Sequence, residues 1–341
     1  MPLALAIAGG LLAYSIGAAV RRHASRLGLI DVPNARSAHD TPTPRGGGIG
    51  IVFGTVGGSL LLPTLGVPVP AGMLFALVVG GLLVAAVSFL DDVGGVRASI
   101  RLFVHLGLGA AVVLLVGPIA MVDLGPLGPA PLKWTAVPLT VLWIAGIINA
   151  YNFMDGIDGL AAGQSLATAG AWVVVGLGVG RGDIAALALL IAGTSAGFLL
   201  HNWTPARLFM GDVGSAFLGY ALGLLVVIGA QDDPGLATAG VVFLWPFVFD
   251  TALTLARRAI RMENIFAAHR SHFYQRLLAT GCSQHGVLAL YLGLAVTSAA
   301  AGSAVALDLP GSSMALALLL PAMVATVWIL VQWREARSIH P

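Results

Sequence analysis

The sequence predicts an all-α polytopic integral membrane protein of about eleven transmembrane helices, N-terminus outside and C-terminus cytoplasmic. Three observations carry that prediction. Of 341 residues, 58% are hydrophobic and 9% charged, and the mean hydropathy is +0.93; a soluble domain carries roughly 25% charged residues. Apolar runs near the length a bilayer requires, about 20 residues, recur along the whole chain. The cations sit on alternate connections between those runs. This composition excludes an ordinary cytosolic enzyme, a nucleic-acid-binding module and a disordered chain.

The first run, 2–20, lacks a preceding basic stretch and a small-residue cleavage site, so it reads as a retained span rather than a signal peptide. The second, 46–64, opens on GGGIG after Arg45. The third, 71–90, ends at Asp91 and Asp92. The fourth, 101–121, begins at Arg101, and the fifth, 134–150, follows Lys133. The sixth, 160–180, follows the polar stretch NFMDGIDGL. The seventh, 184–201, is set off by Arg181 and Asp183, and the eighth, 213–229, opens after Asp212. The ninth, 237–256, holds Asp250 and stops at Arg257 and Arg258. The last two are 286–306 and 313–333. Helices are the expected form, because a bilayer offers no water to unpaired backbone groups. None of the runs alternates as a barrel strand would.

Connections 21–45, 91–100, 151–159, 202–212 and 257–285, with the tail 334–341, hold fifteen Arg, counting Arg101 at a span end. The opposite side holds only Lys133 and Arg181. Short cation-rich loops are cytoplasmic. With no separate soluble domain, residues 1–341 form one transmembrane domain whose candidate site loops are those five connections. Cys282 is the only cysteine, so no internal disulfide is implied. Ser215, Gly219 and Gly223 would let one helix approach a neighbour closely; general glycine richness explains them equally well.

Ten of the fifteen acidic residues fall on the cation-rich side. Asp91 and Asp92 lie in FLDDVGG, Asp155 and Asp158 in NAYNFMDGIDGL, and Asp212 in FMGDVGS. Solvated loop carboxylates are the bland alternative. Against it, these residues adjoin apolar helices, where a charge at depth costs ~2.5–3.5 kcal/mol or more. Two carboxylates ~5 Å apart repel by roughly 3 kcal/mol at an effective dielectric of 20. A hard divalent ion resolves this, and Mg²⁺ takes one or two carboxylates plus substrate phosphates. Asn149, Asn152, Asp155 and Asp158 are spaced to face one way on a helical turn. Helix N-termini near 159 and 212 would offer N–H groups to an anion, and Gly156, Gly159, Gly211 and Gly214 would let phosphate approach the backbone.

A basic cluster, AAHRSHFYQRL, carries His269, Arg270, His272 and Arg276; a positive-inside lipid anchor is its alternative reading. The loop HDTPTPRGGG ends in Arg45 at a span start. Its GGGIG is no dinucleotide fingerprint, because no strand precedes it.

These motifs, in this order over residues ~30–280, resemble the polyprenyl-phosphate N-acetylhexosamine-1-phosphate transferases, the superfamily that includes the phospho-MurNAc-pentapeptide translocase. The eleven-span layout resembles its GlcNAc-1-phosphate branch. The resemblance implies transfer of a sugar-1-phosphate from a UDP-N-acetylhexosamine to undecaprenyl phosphate with release of UMP, at the bacterial inner membrane. It implies Mg²⁺, or Mn²⁺ in its place, on Asp212 and Asn152. Asp91 and Asp92 match the catalytic acidic pair beside the lipid phosphate. Asp155 and Asp158 match positions near the nucleotide, and Phe209 the aromatic that stacks on uracil. Arg101 matches a phosphate-contacting base, and His269, Arg270 and His272 the loop on sugar and pyrophosphate; Arg45 and Gly211 are further substrate contacts. HRSHFYQ is not the triple-histidine form of the MurNAc-pentapeptide enzyme. It is closer to O-antigen initiators that use N-acetylfucosamine or N-acetylquinovosamine, which leaves the sugar open and makes a first step of O-antigen (lipopolysaccharide) synthesis the expectation. Partners are then the UDP-sugar, undecaprenyl phosphate and the bilayer, with a homodimer open and no nucleic acid. The rival is a polytopic secondary transporter or lipid flippase, which intramembrane Asp250 invites; the gathering of carboxylates at one face, without a visible repeat, argues against it.

Overall fold

The computed structural model describes residues 1–33, 41–264, 267 and 269–339. Fourteen helices make up the described chain: α1 (Pro2–His23), α2 (Gly48–Leu61), α3 (Ala71–Phe75), α4 (Gly81–Gly94), α5 (Ala98–Leu115), α6 (Ala136–Met154), α7 (Leu160–Gly178), α8 (Gly182–Asn202), α9 (Asp212–Gly229), α10 (Pro234–Phe243), α11 (Trp245–Ile260), α12 (Phe273–Ala279), α13 (Gln284–Ala306) and α14 (Ser312–Ile339). Two small antiparallel ribbons accompany them, β1 (Ile30–Asp31) with β2 (Thr43–Pro44), and β3 (Met121–Asp123) with β4 (Pro129–Pro131).

Among the described residues, nine helices are long and apolar enough to cross a membrane, and α10 with α11 would make a tenth as one span bent by 73°. The expected eleventh crossing, α2, has 14 residues. At 1.5 Å per residue that is about 21 Å, short of a hydrocarbon core about 30 Å thick. Even so, α2 starts beside Met210, and Val67, Pro68 and Pro70 after it share a cavity with Pro2 and Arg181 at the opposite end. The segment Gly48 to Pro70 therefore runs from the Met210 end to the Arg181 end. The fourth run also differs from expectation. Its helix stops at Leu115, because Gly117 (φ +116°) and Pro118 cannot extend it, and the chain turns into the β3–β4 ribbon.

The bend has a local cause. Pro246 at the start of α11 has no N–H to give and the Phe247 N–H turns to the Leu244 carbonyl (3.1 Å), so the Phe243 carbonyl accepts instead from Gln164 Nε2 (2.8 Å) and Thr168 Oγ1 (3.1 Å) of α7. Between α3 and α4 the helix widens into a π turn, Ala76–Gly80, and the Tyr220 hydroxyl donates to the Ala76 carbonyl at 2.8 Å.

Helix α9 lies at the centre. All residues from Val213 to Gly229 are buried, enclosed by α2, α4, α6 and α10. The small-residue stripe on α9 earns its close approach: a Cβ on Gly219 would stand 2.7 Å from the Ile147 carbonyl of α6, and one on Gly223 would stand 2.5 Å from Ile147 Cγ2. This packing carries the first turn of α9 to the end of α6, where the site lies.

Candidate active site

Four distant stretches meet at the N-terminus of α9. The last turn of α4 supplies Asp91 and Asp92, the first turn of α5 Arg101, the last turn of α6 Asn152, and α9 itself Asp212. Asp92 is buried, and its carboxylate caps α9: Oδ1 accepts the Asp212 N–H and Oδ2 the Val213 N–H, both at 3.1 Å. Gly211 makes this fit. Its φ is +75°, and a Cβ there would stand 2.8 Å from Asp92 Oδ2. The Arg45 guanidinium donates to the Asp92 carbonyl. Asp91 points elsewhere. Its Oδ1 accepts the Val96 N–H at 2.6 Å and its Oδ2 pairs with Arg101, which also reaches Asp212 Oδ2 at 3.1 Å. Asn152 lies against Asp212, with Nδ2 donating to Ser215 Oγ at 3.3 Å.

Asp155 follows the end of α6. Burial pushes its carboxyl up to about 8, and the like charges of Asp212, Asp92 and Asp158 add to the effect. With Arg101, Asn149 and Asn152 it supplies polar groups to a cavity of ≈740 Å³ whose lining also includes the apolar Leu102, Leu106, Trp143, Phe153, Val248 and Leu255. His269, His272 and Tyr274 border the same cavity. The two imidazoles stack with centroids 5.1 Å apart, and Phe153 lies 5.7 Å from His272. Burial, then His272 and Arg258, pushes His269 down to about 4, so its ring is neutral at neutral pH. The Tyr274 hydroxyl donates to the Phe153 carbonyl at 3.0 Å and ties this loop to α6. Arg270 lies exposed beside it. The Phe209 backbone N–H donates to the Pro44 carbonyl, and its own carbonyl accepts from Gly47, which stitches the Arg45 loop to the α9 entry.

Several expectations are corrected. The N–H groups at the start of α9 are not offered to a phosphate, because Asp92 takes them, and Gly211 opens space for that carboxylate. At the start of α7, the Gly159 N–H is held by Asn202 Oδ1 at 2.9 Å. Asp158 does not continue the face of Asn149 and Asn152. The helix stops at Met154, and Asp158 Oδ2 accepts the Ala206 N–H at 2.8 Å. The space at Gly156 is taken by the Tyr274 hydroxyl. Arg36, His39 and Asp40, and residues 265, 266 and 268 of the histidine loop, lie outside the described residues.

Sequence reasoning missed Tyr274, Thr251 and Trp143 as cavity residues, and His105, whose Nδ1 accepts from Asn149 Nδ2 at 3.0 Å. For His105 the signal was the helical spacing 101–105, which sets it on the face of Arg101. Among the described residues, no three His, Cys, Asp or Glu side chains form a metal cage on their own. Asp212 and Asn152 bring two oxygen-bearing side chains side by side, a pair suited to an ion that completes its shell with ligand phosphates.

Fold and site together define a membrane-spanning helical protein with an arginine-bridged acidic cluster at one end, beside a mostly apolar chamber. The sequence profile described as "Glycosyl transferase family 4" matches residues 74–230. A Bacillus subtilis protein named "Probable undecaprenyl-phosphate N-acetylglucosaminyl 1-phosphate transferase" is 36% identical over 277 residues, covering 80% of this chain and 76% of the relative. The "Decaprenyl-phosphate N-acetylglucosaminephosphotransferase" of Mycobacterium tuberculosis is 32% identical over 332 residues, 88% of this chain and 81% of its own. A "Phospho-N-acetylmuramoyl-pentapeptide-transferase" of Synechococcus is 39% identical over 142 residues, 40% of each chain. The chain belongs to glycosyl transferase family 4, in the superfamily of polyprenyl-phosphate sugar-1-phosphate transferases.

Proposed function

We propose that this chain, as one catalytic domain, transfers a sugar-1-phosphate from a UDP-N-acetylhexosamine to undecaprenyl phosphate and releases UMP. The reaction takes place at the cytoplasmic face of the inner membrane. One observation carries the reading: the arginine-bridged site shares Arg101 and Asn152 with a cavity whose lining is mostly apolar. A polyprenyl chain can lie on that lining while its phosphate meets Arg101. The named relatives support GlcNAc as the sugar and cell-envelope polysaccharide as the destination. N-acetylfucosamine, N-acetylquinovosamine and an O-antigen product are the alternatives the assay separates.

An oxygen of the lipid phosphate attacks the β-phosphorus of the UDP-sugar. The bond from that phosphorus to the bridging oxygen breaks, and UMP leaves with the electron pair. One phosphoanhydride replaces another, so the step is close to thermoneutral and needs positioning and charge stabilisation above all. Mg²⁺, or Mn²⁺ in its place, would be held by Asp212 and Asn152 and would supply charge neutralisation on the phosphates. Arg101 sets its guanidinium against the reacting phosphates while Asp91 fixes its direction. Asp92 holds α9 so that Asp212 presents its carboxylate at a fixed depth. Asp155, protonated in the unliganded protein, can donate a hydrogen bond to the nucleotide side. His269 and His272 face the sugar side, and Phe209 stands at the α9 entry for the base. Asp250, which invites the transporter reading, is instead saturated with hydrogen bonds from within the bundle.

The test supplies purified protein in lipid with undecaprenyl phosphate, Mg²⁺ and a panel of UDP-N-acetylhexosamines, and measures UMP. Release is expected with UDP-GlcNAc, and Asp212→Ala should lower it at least a thousandfold while the protein remains folded. UMP release that persists in Asp212→Ala would remove the assigned role of that residue. No release with any sugar would remove the reading itself.

A further inference from the structure

Asp250 lies in α11 with none of its surface exposed. Five donors converge on its carboxylate. At Oδ1 these are His272 Nδ1 (3.0 Å), the Phe273 N–H (3.0 Å) and Thr254 Oγ1 (3.3 Å); at Oδ2 they are the Tyr274 N–H (3.3 Å) and the Tyr291 hydroxyl. A carboxylate so surrounded acts only as an acceptor, so the imidazole nitrogen that faces it must carry its hydrogen. The remaining nitrogen, His272 Nε2, is buried and meets no partner among the described residues, and the residue borders the ≈740 Å³ cavity.

A buried polar atom without a partner is costly unless a ligand completes it. A cationic ring would bury an unpaired charged N–H in a loop already holding Arg257, whose guanidinium donates to the Ser271 carbonyl at 2.9 Å, and Arg258, whose guanidinium donates to the Asn264 carbonyl at 2.7 Å. A neutral ring buries only a lone pair. Phe153 against the ring and the Tyr274–Phe153 hydrogen bond leave it no freedom to turn away.

We infer that Asp250 is a positioning residue: it holds His272 as the Nδ1–H tautomer and presents Nε2 to the cavity as a hydrogen-bond acceptor. The substrate group that meets Nε2 is then a donor, a sugar hydroxyl or an acetamido N–H, and not a phosphate oxygen, since two acceptors repel. This rests on the transferase reading above and extends it to the sugar. The same logic operates wherever a carboxylate fixes the tautomer of an active-site histidine.

The experiment has two arms. In the first, the full chain is labelled with ¹⁵N-histidine and its His272 signals are assigned by their loss in His272→Gln. The expected spectrum shows a protonated Nδ1 and a bare Nε2; a protonated Nε2 overturns the inference whatever the activity. In the second, transfer kinetics are measured for Asp250→Asn, His272→Gln and the double variant. Each single change should lower kcat about a hundredfold and move KM for the UDP-sugar less than threefold. The double variant should lose no more than about twofold beyond the worse single one, because the two residues act as a unit. Losses that multiply overturn the inference. A UDP-sugar lacking the donor that meets Nε2 should be turned over alike by wild type and His272→Gln; unequal turnover of every deoxy and deacetamido analogue overturns the sugar assignment. A wild-type chain that transfers no sugar defeats the transferase reading, while the spectrum still decides the Asp250–His272 pairing.

Discussion

The two ends of the bundle hold cavities of nearly equal size, ≈740 Å³ at the acidic site and ≈780 Å³ beside Arg181, yet their charges are arranged in opposite ways. Arg181 is enclosed by its counter-ions. Its Nε and Nη2 meet Asp183 at 2.9 and 2.8 Å, and Nη1 pairs with Asp232. The rest of that wall is mostly apolar, with Pro68, Pro70, Met73 and Leu177. At the other end Arg101 bridges Asp91 and Asp212, while Asp92 adds a carboxylate that Arg101 does not meet and Asp155 is crowded enough to keep its proton. Volume does not tell the two apart. A satisfied ion cluster holds loops together, and an unsatisfied one waits for a ligand.

Removing each arginine would break this contrast most sharply. Arg101→Ala should reduce transfer on the order of a hundred- to a thousandfold, the range seen when a charge-stabilising donor is lost. Arg181→Ala should keep kcat within about twofold and lower the unfolding temperature, because it strands Asp183 with one side buried. Equal losses of activity would show that the two clusters do not differ in kind.

Gly211→Ala sharpens the comparison at the site end. A positive φ with a side chain costs about 1–3 kcal/mol, and the new methyl meets Asp92 Oδ2. The expected result is a lower unfolding temperature together with a roughly tenfold loss of turnover; the same change at Gly180, whose Cβ would meet open space, should cost stability alone.

The smallest effect concerns pH. Asp155 keeps its proton to about 8 in the fold, whereas an ordinary aspartate releases it near 3.8. Between those values the folded chain binds the extra proton, so this group favours folding at low pH and loses that contribution as pH rises toward 8. With chelator present, thermal unfolding should shift downward between pH 5 and 8.5, and Asp155→Asn should flatten that trend. No difference between the two proteins would mean that Asp155 is not crowded by its neighbours.

Much of this was legible in the sequence. Most apolar runs coincide with a single helix, because a bilayer forces long hydrophobic stretches into one conformation; the ninth is split into α10 and α11, and the helix of the fourth stops at Leu115. The bend before Trp245 was not legible, since Pro246 sits in an unbroken apolar run and its effect depends on Gln164 and Thr168 of another helix. Motif order brought Asp91, Asp92, Asn152 and Asp212 together correctly. What sequence could not separate was the pair of neighbours Asp91 and Asp92. Adjacent residues on a helix project about 100° apart, and that angle sends one to Arg101 and the other to the end of α9. Asp155 and Asp158 diverge for a different reason: the helix that would align them ends at Met154.

Helix α9, with no surface left for lipid, has a consequence for biogenesis. A segment that touches only protein gains nothing from the bilayer and is held by its neighbours alone. One of those, α10, is synthesised after it. The contacts of α9 with α10 lie along its far half, where Gly240 meets Val226 and Leu236 meets Gly229, whereas the first turn that carries Asp212 is seated by Gly48, Asp92 and Asn152, all synthesised before it; the reactive end can therefore dock while the rest of the helix still waits for residue 243.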